Sequence, residues 1–328
     1  MPASYWSVWF GFPLHRQPHC VYLYQMKKIL VTGSNGLLGQ KLADLIIGSG
    51  RAELICTAKG ANRRPEQQDC TFVSLDITDA RATEDVLAVF RPDVIINTAA
   101  VTNVDACELD KELCRKVNVE AVANLVNAAS RHDIHLIHLS SDFVFDGLNG
   151  PYAEEDAPSP VSFYGQSKAD AEKLVLSSDA RCSIVRTILV YGVTPGMSRS
   201  NIVLWVKSAL EKGEQIRVVN DQWRMPTLAE NLAEACLLIA EKEALGTYHI
   251  SGAEMMSVFE LAERVADFWG LDRSLITPVS SDSLNQTARR PLKTGFVLDK
   301  AMRDLNYKPR SFTEGLTVVD RQLASLRS

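Results

Sequence analysis

The stretch from Lys27 to Gly39 limits what this chain can fold into more than any other. Lys27-Lys28-Ile29-Leu30-Val31 reads as a short buried strand, Thr32-Gly33-Ser34-Asn35-Gly36-Leu37-Leu38-Gly39 as a glycine-rich turn, and Leu42, Leu45 and Ile46 follow at helical spacing. Strand, glycine turn and helix in that order suit a dinucleotide. Glycines let the backbone approach a pyrophosphate, and the helix N-terminus faces it with unpaired N–H groups. Gly33, Gly36 and Gly39 are spaced T-G-x-x-G-x-x-G, a departure from the commoner G-x-G-x-x-G.

Strand and helix signals continue to alternate, which predicts an α/β, Rossmann-type, doubly wound parallel sheet. Strands are readable at Glu53 to Thr57, Thr71 to Ser74, Asp93 to Asn97, His135 to Ser140 and Cys182 to Arg186. Lys111 to Arg131 reads as one helix with Leu113, Val117, Ala121, Leu125 and Ala128 toward the core. After Val193 the alternation becomes irregular, with a helix near Asn201 to Lys212, a strand Ile216 to Val219, and capping boxes at Thr227/Glu230 and Ser257/Glu260. Residues 1–25 stand apart. Tyr5, Trp6, Val8, Trp9, Phe10 and Phe12 make an aromatic cluster without a basic start and far short of the roughly 20 apolar residues of a membrane span. This segment is expected to be a leader outside the fold, disordered or not native, with an interfacial anchor as the alternative.

Tyr164 and Lys168 lie in Phe163-Tyr164-Gly165-Gln166-Ser167-Lys168, about one helical turn apart, so they project from one face. An ammonium beside a phenol favours the phenolate, which makes tyrosine usable as an acid or base. Such a pair also arises by chance in many helices, and the glycine loop is what raises its significance.

With loop and pair together, the chain resembles the extended short-chain dehydrogenase/reductase family from about Lys27 to its C-terminus. Leu139-Ser140-Ser141-Asp142-Phe143-Val144-Phe145-Asp146-Gly147 is similar to the S-T-D-Y-V-F-D-G segment of the dTDP-4-dehydrorhamnose reductases. Asn97-Thr98-Ala99-Ala100, Val117-Asn118-Val119, and Arg186-Thr187 before Val190-Tyr191-Gly192 agree with it. Asn220-Asp221-Gln222-Trp223 leading into Pro226-Thr227 resembles their N-D-Q-x-G-x-P-T stretch. Leu189 departs from them, standing where many have tryptophan.

The resemblance implies a dinucleotide-binding domain over 26–192 and, over 193–328, mainly a smaller substrate-binding lobe with segments returning to the first domain. It implies cofactor contacts from Gly33, Asn35, Gly36, Leu37 and Gly39, from Asp76 and Ile77 at the adenine, from Ala99 and Ala100, and from Tyr164 and Lys168. Asp142, Asn201 and Arg290 fall on the substrate side, where Arg289-Arg290-Pro291 either faces nucleotide-sugar phosphates or is a surface turn.

Ketone reduction leaves charge on oxygen, so a site must supply a proton and hydrogen bonds there. Tyr164 is the expected donor, Lys168 the ribose contact that lowers the tyrosine pKa, and Ser141 the hydrogen-bond donor to the substrate oxygen, with Ser140 as the neighbouring alternative. Asn118 is either part of a proton relay or a helix-packing asparagine. The second strand ends Cys56-Thr57-Ala58-Lys59 without the carboxylate that binds a ribose 2′-hydroxyl, and Lys59, Arg63 and Arg64 follow. That favours NADPH, with NADH possible if these bases are only a solvated run.

A net charge of −5 gives no basic field for nucleic acid. Seven cysteines, Cys20, Cys56, Cys70, Cys107, Cys114, Cys182 and Cys236, lack a C-x-x-C pair and read as thiols of a reducing cytoplasm. His132, His135 and His138 do not read as a metal site, because the last two would point to opposite faces of a strand. Glu154-Glu155-Asp156 reads as a solvated loop. The expected activity is NADPH-dependent reduction of the 4-keto group of a 6-deoxy nucleotide sugar, by a cytoplasmic protein for which a homodimer is one option and no metal ligands are expected. Two alternatives stay open: an epimerase or dehydratase on the same site, and a non-catalytic NADP-binding regulatory subunit like that of methionine adenosyltransferase.

Overall fold

The structure, a computed structural model, describes residues 26–64, 70–197 and 200–326. The leader expected over 1–25 lies outside the described residues. The first half contains β1 (Lys27–Thr32), α1 (Leu37–Ser49), β2 (Ala52–Ala58), β3 (Thr71–Ser74), α2 (Ala80–Phe90) and β4 (Val94–Asn97). It continues with α3 (Val104–Leu109), α4 (Lys111–Arg115), a π-helical turn Lys116–Glu120, α5 (Ala121–His132), β5 (His135–Ser141), α6 (Phe163–Leu176) and β6 (Cys182–Thr187). Then come β7 (Val190–Tyr191), α7 (Ile202–Glu211), β8 (Ile216–Val219), β9 (Trp223–Arg224), β10 (Thr227–Leu228) and α8 (Ala229–Lys242). The chain closes with β11 (Gly246–Ile250), β12 (Met256–Ser257), α9 (Val258–Trp269), β13 (Ile276–Val279), α10 (Asp299–Leu305) and α11 (Phe312–Ser325).

Seven parallel strands form the central sheet in the order β11-β6-β5-β4-β1-β2-β3. Alternate residues of one strand face opposite sides. In β1, Ile29 and Val31 join one apolar layer with Leu42 and Ile46 of α1 and Leu232 and Cys236 of α8, while Leu30 joins Leu125 of α5 on the other side. Both faces are covered, as a parallel sheet requires. A third apolar cluster, with Val206, Leu210, Ile216, Leu261, Val265 and Leu316, gathers α7, α9, β8 and α11. Among the described residues no helix is long and apolar enough to cross a membrane.

Three local expectations are corrected. Lys111 to Arg131 is not one helix. The π-turn lets the Asn118 amide bond the Val101 main chain in both directions, at 2.8 and 3.0 Å, and the inserted residue rotates the buried face. Before it Cys114 is buried and Leu113 is exposed, within it Asn118 is buried, and after it Ala121 and Leu125 are buried. Thr227 and Glu230 form no capping box, since the N-cap of α8 is Leu228, which offers no side-chain cap. The Thr227 hydroxyl donates to Ile188 O at 2.6 Å and Glu230 pairs with Lys41 at 2.9 Å. The Ser257/Glu260 box does form. Glu154 is not solvated: its carboxylate accepts the His249 N–H at 3.0 Å, and burial pushes its pKa up.

One buried ion pair joins α6 to the sheet. Arg186 of β6 donates to both Glu172 oxygens, at 3.0 and 2.7 Å, with both side chains almost wholly enclosed. Removing one partner strands a charge in a low-dielectric interior. Arg186→Leu is therefore expected to lower stability by about 3–5 kcal/mol, read from the urea midpoint at unchanged slope.

Candidate active site

The site is built where β5 meets α6. β5 ends at Ser141 and turns through a short 3₁₀ segment, Asp142–Val144, onto which α6 settles. Ser162 caps α6 by accepting the Gly165 N–H at 3.2 Å. A Cβ on Gly165 would lie 2.1 Å from Phe143 O, so only glycine allows the helix to rest on this turn. The contact brings the Tyr164 ring edge-on to Phe143, with centroids 5.5 Å apart, beside the Ser141 hydroxyl.

Burial pushes the Tyr164 phenol well above its ordinary pKa, and its hydrogen bond with Ser141 pulls the other way. Lys168, one turn on, is also buried, which brings its pKa down to about 8. Its Nζ donates to Leu139 O at 2.6 Å and lies 3.3 Å from His138 Nε2. Asn118 donates to Ser167 Oγ at 3.1 Å, and Ser167 donates to Tyr164 O at 2.7 Å, so the π-turn grips the helix that carries the pair. The other two histidines point elsewhere: His135 meets Ser183 Oγ at 2.7 Å and His132 meets Glu84 at 2.6 Å.

At the far end, α1 begins at Gly36 with no side-chain cap and no acidic residue in its first turn. Such an end leaves N–H groups and the positive end of the helix dipole for an anion. Gly33 has φ +65°, and a Cβ there would meet Ala99 N at 2.8 Å; one on Gly39 would meet Gly33 O at 2.5 Å. These two glycines serve the close packing of the turn. The Asn35 side chain is engaged with the loop after β2, donating to Ala61 O at 2.9 Å and accepting from Arg63 N at 3.0 Å. Lys59 pairs with Asp76 at 2.8 Å, and that ammonium, with Thr78, draws the Asp76 carboxyl down to about 2. Arg64 pairs with Asp44 at 2.5 Å.

A cleft of about 660 Å³ links the two ends. Asn35, Gly36, Leu37 and Ala100 line its α1 end. Ser141, Asp142, Tyr164 and Lys168 line the middle, with Asn201 and Arg290 across from them. Gly33, Gly39 and Ala99 sit behind the wall, Ile77 is packed under the sheet, and Lys59 and Asp76 stand outside it. The uncapped α1 end at one extreme and Lys168 further along the cleft fit a dinucleotide.

The substrate-side residues are already engaged. Asn201 caps α7 and donates to Gly192 O at 2.8 Å. Arg290 grips Asp105 of α3 with bonds of 3.2 and 2.7 Å. Asp142 accepts from Ser141 Oγ at 3.0 Å and from Thr294 Oγ1 at 2.5 Å. Burial raises its pKa, against the pull of Arg224, 3.7 Å away.

Arg224 was not singled out from the sequence, although it occupies the glycine position of the N-D-Q-x-G-x-P-T stretch. Gly165 was also passed over inside the Tyr-Lys segment. Leu189 lines the cleft with φ +41°, a conformation strained for leucine.

Fold and site together define a dinucleotide-dependent oxidoreductase of the extended short-chain type. The chain belongs to the RmlD substrate binding domain family, which matches residues 26–324. It is 31% identical over 303 residues to a dTDP-4-dehydrorhamnose reductase of Aggregatibacter actinomycetemcomitans, covering 89% of this chain and 97% of that one. It is 32% identical over 289 residues to methionine adenosyltransferase 2 subunit beta of Rattus norvegicus, covering 85% and 84%. Among solved structures, dTDP-4-dehydrorhamnose reductase of Bacillus anthracis in complex with NADP superposes with a TM-score of 0.77 at 27% identity, covering 90% of this chain and 99% of that one.

The Gly165 contact is directly testable. Gly165→Ala is expected to force α6 off the Phe143 carbonyl and to lower turnover by roughly 10²-fold, the cost of misplacing a catalytic group by about 1 Å. NADPH oxidation with a keto substrate checks it, and circular dichroism should show the sheet and helices retained.

Proposed function

We propose that this protein reduces the 4-keto group of a 6-deoxy nucleotide sugar with NADPH, in deoxysugar and polysaccharide biosynthesis. The observation that carries the reading is the placement of Ser141, Tyr164 and Lys168 on one cleft whose other end is the uncapped start of α1. NADPH, when bound, supplies the hydride. Tyr164 donates its phenolic proton to the oxygen on which charge develops, and burial, by keeping the phenol protonated, suits it to act as the acid. Ser141 turns its hydroxyl from Asp142 to the same oxygen. Lys168 holds the nicotinamide ribose, and the α1 N–H groups hold the pyrophosphate. Leu189 and Val190 give the cleft an apolar wall suited to the methyl group of a 6-deoxy sugar. Arg290 faces the diphosphate once it exchanges Asp105 for it. Cytoplasmic location and a homodimer belong to the same proposal.

A second reading has its own support in the 32% identity to a protein named as a subunit of methionine adenosyltransferase. On that reading the cleft binds NADP and turns nothing over. The purified protein, NADPH and a panel of 4-keto nucleotide sugars decide between them. Tyr164→Phe is expected to leave NADPH affinity nearly unchanged and to lower turnover by roughly 10² or more. A protein that binds NADPH, oxidises none with any keto sugar offered, and recovers a partner enzyme in a pull-down sinks the reductase reading.

The cofactor choice has its own check by titration calorimetry. NADPH is expected to bind more tightly than NADH, and alanine at Lys59, Arg63 and Arg64 together to erase the difference. Equal affinities in the unmodified protein refute it.

A further inference from the structure

His138 touches Lys168 and has no part in the chemistry above. It belongs to a row of polar side chains across three adjacent strands, in which Thr32 of β1 is in register with Asn97 of β4, and Asn97 with His138 of β5. Neighbours in register point to the same side of a sheet. All three are almost wholly buried, as is Lys168. The Thr32 hydroxyl donates to Asn97 Oδ1 at 2.6 Å, and Asn97 Nδ2 lies 3.1 Å from His138 Nδ1.

The direction of this chain has a consequence. An amide N–H aimed at Nδ1 makes that nitrogen the acceptor, and the neutral ring then carries its proton on Nε2. Burial, the larger cause, drives the His138 pKa far down and favours the neutral ring whether or not Lys168 is charged. Nε2–H therefore faces Lys168 Nζ at 3.3 Å. An ammonium has only donors and cannot accept that proton, whereas an amine has a lone pair for it and can still donate to Leu139 O.

We propose that His138 is a positioning residue for Lys168: the chain from Thr32 through Asn97 presents an N–H to the lysine nitrogen and favours its neutral amine until an anionic cofactor draws a proton onto it. Hydrogen bonding to the neutral form lowers the pKa of a base. The proton comes from solvent and no covalent step is involved. The other groups around Lys168 are already engaged. Glu172, one turn along α6, is held by Arg186 of β6, and the Cys114 thiol of α4 meets Ser167 and Asn118. Asp142, in the turn after β5, is held by Thr294, Ser141 and Arg224, while Glu108 of α3 accepts the Phe163 N–H. Tyr164, on the helix of Lys168, keeps its phenolic proton.

This inference rests on the reading of Lys168 as a cofactor contact, and two measurements separate their fates. In the free protein labelled with ¹⁵N-histidine, NMR is expected to show His138 as the Nε2–H tautomer; the Nδ1–H tautomer or an imidazolium overturns the proposal without reference to any cofactor. Calorimetry of NADPH binding at about pH 9, in buffers of different ionisation enthalpy, is expected to show uptake approaching about one proton per NADPH. In His138→Leu the lysine regains its proton before binding, and uptake should fall to roughly half or less, while His138→Gln, whose amide can still donate, should restore it. Tight binding with no uptake, or equal uptake in His138→Leu, overturns the proposal. Absence of NADPH binding overturns the cofactor reading instead, and the tautomer then decides for His138 alone.

Discussion

The Arg186–Glu172 pair fixes the helix on which the site depends. Glu172 lies one turn beyond Lys168, so anchoring it to β6 sets both the rotation of α6 and its height above the sheet. At the other end Gly165 rests on the Phe143 carbonyl. Lys168 is held between these two points, one a bidentate ion pair and the other a steric contact, and Tyr164 directly precedes the second. Arg186 reaches further, donating to Glu154 O and to His249 Nε2, while His249 donates through Nδ1 to Tyr152 O and stacks on Phe296. The guanidinium also lies over Phe145, which stacks on Tyr152. Four hydrogen bonds and the ring contact make a buried charge tolerable, and they tie β6, β11, α6 and the loop after β5 into one rigid support.

The two ends of the cleft are built differently. Around Tyr164 and Lys168 nearly every polar group is enclosed and committed, so a change there strands a buried donor or acceptor. Around α1 the polar groups are surface ion pairs, Lys59 with Asp76 and Arg64 with Asp44, beside a helix end with open N–H groups. Exposed pairs hold weakly and exchange partners readily. A phosphate arriving there finds cations that can be redirected and amides that need no rearrangement, while the reacting end is pre-organised before anything binds.

That division explains what could be read from the sequence. Thr71–Ser74 and Ile216–Val219 are strands over the expected residues, because a short apolar run between turns carries its own signal. That Tyr164, Lys168 and Ser141 line one cleft was legible for a similar reason, since helical spacing and the end of a strand place them. The π-turn was not, because its cause is a bond between Asn118 and the main chain of Val101, distant in sequence. The Thr227/Glu230 box failed because Ile188 O and Lys41 compete for the same side chains, and neither is local. Glu154 looked like solvated loop because nothing near it in sequence names His249 as its partner. Local chemistry was visible, whereas contacts between distant segments were not.

Arg224 shows why the substrate end follows its own rules. A glycine at this position offers no side chain, whereas here a guanidinium donates to Trp223 O, Leu292 O and Pro291 O and lies beside the Asp142 carboxylate. The segment that carries Arg290 is thereby fastened to the floor of the cleft, next to the turn that follows Ser141. Leu189, in its strained conformation, shapes the wall nearby. Likeness to reductases over the glycine loop and the Tyr-Lys pair therefore carries over to the hydride chemistry but not by itself to the sugar, because fold and site are separate arguments. Ser141 is where they meet. Its hydroxyl is bound to Asp142, and Asp142 is bound to Thr294 and faced by Arg224, so any ligand that rearranges this buried trio acts directly on the Ser141 hydroxyl.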